Sequence, residues 1–385
     1  MRGVNIPSGR LDIVKKRKII FFIYQMGSGG AARTFLNILN NIDHQRFAPV
    51  LVTLDYNGNY EAHIREDVKF IKLNTRRLRS AILLLSKVIR EEKADIVFST
   101  IPNYNIVALL ATMLSRAAAK NIVREAAYLG GAKKENLKLK FAGFLYKRAS
   151  KVVALSKGVR ENIIRRYGVP ADKIEIIYNP VDVEGIRALM QVDDVEKRHK
   201  EIFRTHSQTI ITAGRFHPDK DQKTLIRAFR LVKEEFPDAG LMILGEGALE
   251  GELRALAEQL NITDAVHFAG FQKNPYAYFA QSDLFVLSST REGFGHVLTE
   301  ALAAGTPVVS TKAQPGAAEV LDNGRFGEMC MPSDPEALAG SILYMLSHDE
   351  EREWAAAKGI ERARRFHVDK IVREYEALFI SVLDQ

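Results

Sequence analysis

The 385-residue chain is poor in the residues that would build several classes of protein. It has one cysteine, Cys330, and one tryptophan. A lone cysteine forms no intrachain disulfide and supplies no cluster for zinc or iron–sulfur, so nothing marks the chain for an oxidising compartment. No run of about 18 consecutive apolar residues occurs, which argues against a transmembrane helix. The first apolar run, residues 19–24, is too short for the core of a secretory signal and reads as a strand. No metal site is expected.

The remainder is ordinary in amount. Hydrophobic residues make up 46% and charged residues 26%, which excludes wholesale disorder. The length favours two domains, each with its own core. The net charge of +8 is unevenly spread: residues 1–180 hold 32 Lys and Arg against 14 Asp and Glu, and residues 181–385 hold 23 against 33. One half is strongly basic and the other acidic. Such asymmetry implies that the first half meets something anionic: nucleic acid, a membrane surface or phosphorylated substrates.

Short apolar runs alternate with amphipathic stretches. KIIFFIY (18–24), APVLVTL (48–54), ADIVFST (94–100), KNIVREA (120–126), KVVALS (151–156) and KIEIIYN (173–179) read as strands, with helical patterns between them. Almost wholly apolar strands in βαβα order indicate a parallel sheet covered on both faces. The polar stretch 181–206 interrupts the rhythm, and a second βα series follows from QTIITAGR (208–215) onwards. The fold class expected is α/β, with two doubly wound parallel-sheet domains, in which ligands sit beyond the carboxyl ends of the strands.

Three loops at such ends could carry chemistry. QMGSGGAART (25–34) has Gly27, Gly29 and Gly30 ahead of a helix; it reads either as a phosphate-approaching loop or as a tight turn. GRFHPDKDQKTLIRAF (214–229) places Gly214, Arg215 and Lys220 after a strand, as diphosphate ligands or as an ion-pair partner and a solvated lysine. SSTREGFGHVLTEALAAGTPVVST (288–311) sets Glu292 and Glu300 eight residues apart around Gly293, Phe294 and Gly295 at the start of a helix. The amides there offer an anion site, Glu292 can reach a bound sugar, and Glu300 can accept from a pair of ribose hydroxyls.

The segment EGFGHVLTEALAAGTPVV resembles the Glu-x7-Glu signature of retaining glycosyltransferases of the GT-B fold, family 4. The glycine loop, the 214–229 stretch, LGEG (244–247), GFQKNPYAYFAQSDLFVLSS (270–289) and PGAAEVLDNGRFG (315–327) resemble the same family in order. The resemblance implies two facing Rossmann-like domains, an acceptor-binding one over 1–190 and a nucleotide-sugar-binding one over 191–365, with the last helix (366–385) packing back on the first. It implies Arg215, Lys220 and Glu292 at the reacting centre. Gly29, Gly30, Gly214, Phe271, Gln272, Gly293, Phe294, Gly295 and Glu300 would lie around the donor. The reaction implied is same-face displacement of a sugar from a nucleotide diphosphate, expected to be UDP. No cofactor is required beyond that donor substrate, and cations do the work of a metal.

There are departures from the family pattern. Ala32, followed by Arg33, stands where many relatives have Glu, and His296 follows the glycine pair of the phosphate loop. FSTIPNYN (98–105) lacks the histidine that many relatives place near the acceptor. Ser99 and Asn103 are candidates to contact ligand instead. Arg124 either adds positive charge to the cleft or pairs with Glu125 or Asp95.

GAKKENLKLKFAGFLYKRASK (131–151) interleaves Lys133, Lys134, Lys138, Lys140, Lys147 and Arg148 with Leu and Phe. It reads as a basic amphipathic helix suited to an anionic membrane surface, or as a solvated helix with a packed apolar face. KKRK (15–18) and RRLR (76–79) add to the same charge. No RNA-binding aromatic motif or helix-turn-helix supports a nucleic-acid partner. The reading is a glycosyltransferase acting on a lipid-linked or envelope-glycan acceptor, cytoplasmic and peripherally bound to the inner membrane face. The alternative is a nucleotide-sugar epimerase of the same architecture.

Overall fold

The computed structural model describes residues 16–27, 29–126 and 137–385. The first half contains β1 (Arg17–Phe22), α1 (Gly30–Asn41), β2 (Phe47–Thr53), β3 (Lys69–Lys72), α2 (Leu78–Glu91), β4 (Ile96–Thr100), α3 (Pro102–Ser115), β5 (Lys120–Glu125), α4 (Leu137–Tyr146), β6 (Lys151–Ala154), α5 (Lys157–Tyr167) and β7 (Ile174–Ile176). Helices α6 (Val183–Met190) and α7 (Lys197–Thr205) lead to β8 (Gln208–Ala213), α8 (Gln222–Glu235), β9 (Ala239–Leu244), α9 (Glu250–Gln259), β10 (Val266–Gly270), α10 (Tyr276–Phe279) and β11 (Leu284–Leu287). Then come β12 (Arg291–Glu292), α11 (His296–Ala304), β13 (Val308–Thr311), β14 (Gln314–Pro315), α12 (Gly316–Val320), β15 (Glu328–Cys330), α13 (Pro335–Ser347), α14 (Asp349–Ala363) and α15 (Val368–Leu383).

Among the described residues the strands form a seven-stranded parallel sheet in the order β3-β2-β1-β4-β5-β6-β7, a six-stranded one in the order β10-β9-β8-β11-β13-β15, and a small pair, β12 with β14. Each large sheet reverses its winding direction once, between β1 and β4 and between β8 and β11. At such a switch point the connections leave to opposite faces and open a crevice at the strands' carboxyl ends. The glycine loop follows β1 and the Arg215 loop follows β8, so each lies at its sheet's switch point.

The strands read as apolar runs because helices cover both faces. Ile19, Phe21, Phe98 and Ile122 lie on one face of the first sheet, and Ile20, Phe22 and Val97 on the other, all fully buried. The final helix belongs to the first of those faces. Phe379 of α15 meets Phe98 at 5.5 Å, Phe47 at 6.1 Å and Phe21 at 6.2 Å between ring centroids. Glu376 of α15 accepts a 2.7 Å bond from the Asp43 amide, just past the end of α1.

The chain crosses between the domains twice, side by side. The Val181 amide donates to the Phe366 carbonyl and the Val368 amide to the Val181 carbonyl, both at 2.9 Å. Residues 183–190, expected within the first domain, pack against α10 and α11 of the second. The Asn274 amide group holds the Leu189 carbonyl there at 2.8 Å. The structural division therefore falls at the crossing near Val181. A second contact joins the domains: Glu319 of α12 accepts from the Lys157 and Gly158 amides at 3.0 Å and from the Tyr178 hydroxyl at 3.1 Å. Its charge sits where the unsatisfied amides of α5 are positive. Gly158 is required here, because a Cβ would lie 2.1 Å from that of Pro315.

Phe379→Ala should destabilise the protein by about 3–5 kcal/mol, the usual cost of removing a fully buried phenylalanine. Chemical denaturation followed by circular dichroism checks this, and an unmoved transition would mean that α15 is not part of the first domain's core.

Candidate active site

The two switch points face one cleft of about 650 Å³. Its first-domain wall is Gly29, Gly30 and Arg33 at the start of α1, with Asn59 and Tyr60 from the loop after β2. The opposite wall is Gly214, Arg215 and Lys220 after β8, Gly245 to Gly247 after β9, Phe271 to Lys273 after β10, and Glu292, His296, Val297 and Glu300 around the start of α11.

Both helices that begin at the cleft lack side-chain caps. Gly29 is the N-cap of α1 and Gly295 that of α11, and neither can supply one. First-turn amides left without a partner carry partial positive charge and suit an anion. Gly295 adopts φ +86°, where an L side chain would be strained. Gly245, at φ +130°, lies so close to Gly214 that a Cβ would come within 2.1 Å of the Gly214 carbonyl oxygen. That contact lets the loops after β8 and β9 stack.

Three carboxylates line the cleft; Glu246 is exposed, and Glu292 and Glu300 each have a cation. Lys220 Nζ pairs with Glu292 Oε1, which also accepts from the Ser289 hydroxyl at 2.8 Å. Glu300 Oε1 accepts from the Tyr276 hydroxyl at 3.1 Å, and Arg33 Nε approaches to 3.7 Å from the other domain. The Arg33 guanidinium lies over the Tyr60 ring at 4.6 Å and near that of Tyr276 at 5.9 Å. Burial opposes the charge on Arg33, but Tyr276, Glu300 and Tyr60 outweigh it and raise its pKa. Burial and the neighbouring Glu300 charge push the Tyr276 phenol well up, so it stays a donor.

His296 Nε2 is 3.6 Å from Glu300, and Nδ1 is buried without a partner. Burial lowers its pKa to about 4, helped by Arg33 and Arg124 against Glu300. The imidazole is therefore neutral at neutral pH.

The structure thus brings together Gly29, Gly30, Gly214, Arg215, Lys220, Phe271, Gln272, Glu292 and Glu300. Gly293, Phe294 and Gly295 precede α11 but do not line the cleft. The Phe294 ring is buried against Phe366 at 5.2 Å and Tyr178 at 5.8 Å, beside the interdomain crossing. Of the expected acceptor residues, Ser99 and Arg124 are corrected. Ser99 is fully buried and donates to Asn105 at 2.8 Å, while Asn103 is exposed on α3, outside the lining. Arg124 is buried, bonded to Thr100 at 2.9 Å, Thr34 at 3.3 Å and Asn179. It pairs with neither Glu125 nor Asp95 and serves the packing of β5.

Sequence reasoning did not assign Arg33, Asn59, Tyr60, Gly245 or Tyr276 to the site. The first had a legible signal, since it lies one helical turn beyond Gly29 and Gly30 and so shares their face of α1. Lys133 and Lys134 lie outside the described residues, as does the side chain of Lys138. Lys140, Lys147 and Arg148 are exposed.

Comparison with known proteins agrees with this architecture. Residues 193–362 match the family Glycosyl transferases group 1, and residues 28–184 match Glycosyltransferase Family 4. The chain is 30% identical over 376 residues, 93% of its length and 98% of the relative's, to N-acetylgalactosamine-N,N'-diacetylbacillosaminyl-diphospho-undecaprenol 4-alpha-N-acetylgalactosaminyltransferase of Campylobacter jejuni. It is 29% identical over 56% of its length, and 55% of the relative's, to N-acetyl-alpha-D-glucosaminyl L-malate synthase of Bacillus anthracis. The fold superposes on HepE of Anabaena, solved with UDP and glucose, with a TM-score of 0.81 at 22% identity, over 95% of this chain and all of that one. Sucrose-phosphate synthase of Thermosynechococcus elongatus gives 0.78 at 17% identity, over 96% of this chain and all of that one. The chain belongs to the group 1 glycosyltransferases and is a glycosyltransferase of GT-B architecture.

Proposed function

We propose that this glycosyltransferase moves a sugar, with retention of configuration, from a UDP-linked donor to a lipid-linked glycan at an anionic membrane surface. The observation that carries the reading is the convergence on one cleft of two uncapped helix N-termini, Arg215, Lys220, Glu292 and Glu300. Arg215 and Lys220 would hold the donor's diphosphate against the α1 amides. Glu300 would take the ribose hydroxyls, and Glu292 the sugar. In the reaction the bond from the anomeric carbon to the diphosphate oxygen breaks. The acceptor hydroxyl bonds the same face of that carbon, and its proton passes to the departing phosphate. Charge is stabilised by the two cations and the amides, with no protein nucleophile.

Two of the similar proteins favour these choices: HepE, solved with UDP, and the C. jejuni enzyme, named for a diphospho-undecaprenol substrate. The membrane reading rests on α4. Phe141 and Phe144 are about half exposed, Arg148 lies over Phe144 at 4.5 Å, and Lys140 and Lys147 flank them. Met113 and Leu114 are exposed at the end of the neighbouring α3. Apolar rings ringed by cations suit an interfacial helix, each cation adding about 1 kcal/mol near anionic lipid. Among the described residues no helix is long and apolar enough to cross a membrane.

Lys220→Ala and Glu292→Ala should each lower the turnover of a UDP-sugar by roughly 10²–10³-fold with the circular dichroism spectrum unchanged. Near-wild-type turnover in both would refute the assignment. Nuclear magnetic resonance of the product should show the donor's own anomeric configuration. Without acceptor no epimerised donor should accumulate, which separates transfer from epimerisation. In liposome sedimentation the protein should bind anionic vesicles over neutral ones, and Phe144→Ser with Arg148→Glu should release it. Equal binding to both vesicle types, or to neither, contradicts the membrane reading.

A further inference from the structure

The residues expected to receive the acceptor do not reach the cleft, yet the carboxyl edge of the first sheet is not bare. Four adjacent strands, β3, β2, β1 and β4, each send one large side chain from the loop or helix that follows them: Arg76, Tyr56, Tyr24 and Tyr104. Sheet order therefore sets these residues in a row, although in sequence they are spread over 81 positions. The rings touch. Tyr24 and Tyr56 have centroids 4.6 Å apart, Tyr24 and Tyr104 5.6 Å apart, and the Arg76 guanidinium lies 5.3 Å from the Tyr56 ring centre. Arg76 is held there by a 2.9 Å bond from its Nε to the Asp55 carbonyl.

All three tyrosines are half-buried. Their inner sides rest on the core formed by Phe22, Leu54 and Val107, and their outer sides face solvent. Burial raises the Tyr104 pKa to about 12, helped by the other two phenols, and pushes the Tyr24 phenol up, so these two keep their hydroxyl protons. A neutral aromatic surface with hydroxyls at its rim combines an apolar face with hydrogen-bonding edges, as a pyranose ring does. At the β3 end, exposed Arg76 is followed by exposed Arg77 and Arg79, cations fit for a phosphate.

The row is tied to the cleft by backbone. Tyr56 and the cleft residues Asn59 and Tyr60 belong to one loop, and Tyr24 leads directly into the glycine loop. The loops are locked together at Gly58, where a Cβ would stand 2.3 Å from the Met26 carbonyl, and by a 2.8 Å bond from the Tyr60 amide to that carbonyl. A ligand on the tyrosines thus lies beside the wall of the donor cleft.

We infer that Tyr24, Tyr56 and Tyr104 form a stacking platform for a sugar ring of the acceptor, with Arg76 taking the phosphate that links that sugar to its carrier. This rests on the acceptor reading above and gives it specific residues.

Saturation-transfer nuclear magnetic resonance with UDP at saturation tests it. The probes are methyl N-acetyl-α-D-galactosaminide and N-acetyl-D-galactosamine 1-phosphate. Irradiating the aromatic protons of the wild-type protein should saturate the sugar protons of both probes, with the phosphorylated one bound more tightly. Tyr56→Leu should weaken both by about threefold to tenfold, the scale of one aromatic contact, and Tyr56→Phe should retain most of the binding. Arg76→Gln should remove only the preference for the phosphorylated probe. UDP titration calorimetry on each variant should give wild-type affinity, which also verifies the fold. Unchanged probe binding in Tyr56→Leu, or no probe binding to the wild type at millimolar concentration, would overturn the inference. Failure of UDP to bind the wild type would count against the donor reading alone, since the probe comparison still reports on the tyrosines.

Discussion

The site depends on neutralising two partly buried carboxylates, Glu292 and Glu300, inside a cleft that also presents Arg215 and two uncapped helix N-termini. Glu292 and Glu300 would repel any phosphate placed beside them. Lys220 and Ser289 quench the first, and Arg33, with the Tyr276 hydroxyl, quenches the second. Charges that are partly withdrawn from water need such partners, because desolvation costs more than isolated burial can recover. The partner of Glu300 comes from the other domain, so the carboxylate is fully compensated only when the domains face each other. Domain apposition and site electrostatics are one condition.

The rest of the architecture serves that apposition. The chain crosses between the domains at two adjacent points, hydrogen-bonded at Val181, and α15 is embedded in the first domain's core. Glu319 reaches from α12 to the first amides of α5. These contacts set the carboxyl edges of two parallel sheets against one another. Each edge then presents what a doubly wound sheet offers at its switch point, a loop and a helix N-terminus. The first domain adds aromatic rings and Arg76 to its edge, and the second adds Arg215 and Lys220.

The sheets were legible because strands covered on both faces must be apolar throughout, and those runs stand out against the amphipathic helices. KNIVREA shows the limit of that logic. It is a central strand that keeps Arg124 and Glu125 buried: Thr100, Thr34 and Asn179 accept from the two terminal nitrogens of the first, whose Nε has no partner, and Tyr146 donates to the second. No local pattern announces those partners. The allegiance of residues 183–190 was equally hidden: an amphipathic helix shows that it has an apolar face, not which domain covers it. The direction of a loop side chain is a third case. Ser99 and Asn103 lie after a strand as expected, but one turns into the core and the other to solvent. Lys220 and Glu292, 72 residues apart, and Arg33 and Glu300, further still, meet only through sheet order. The tyrosine row was invisible for the same reason, whereas the basic stretch that includes α4 showed in composition alone.

The central claim is that the cleft is built for a diphosphate held by Arg215 and Lys220. Titration calorimetry of UDP and UMP against the wild type and Arg215→Ala tests it most directly. The account predicts that UDP binds the wild type at least about tenfold more tightly than UMP, a difference of about 1.4 kcal/mol, and that Arg215→Ala largely erases the difference. Equal affinity for the two nucleotides in the wild type, or a preference that survives in Arg215→Ala, would contradict it.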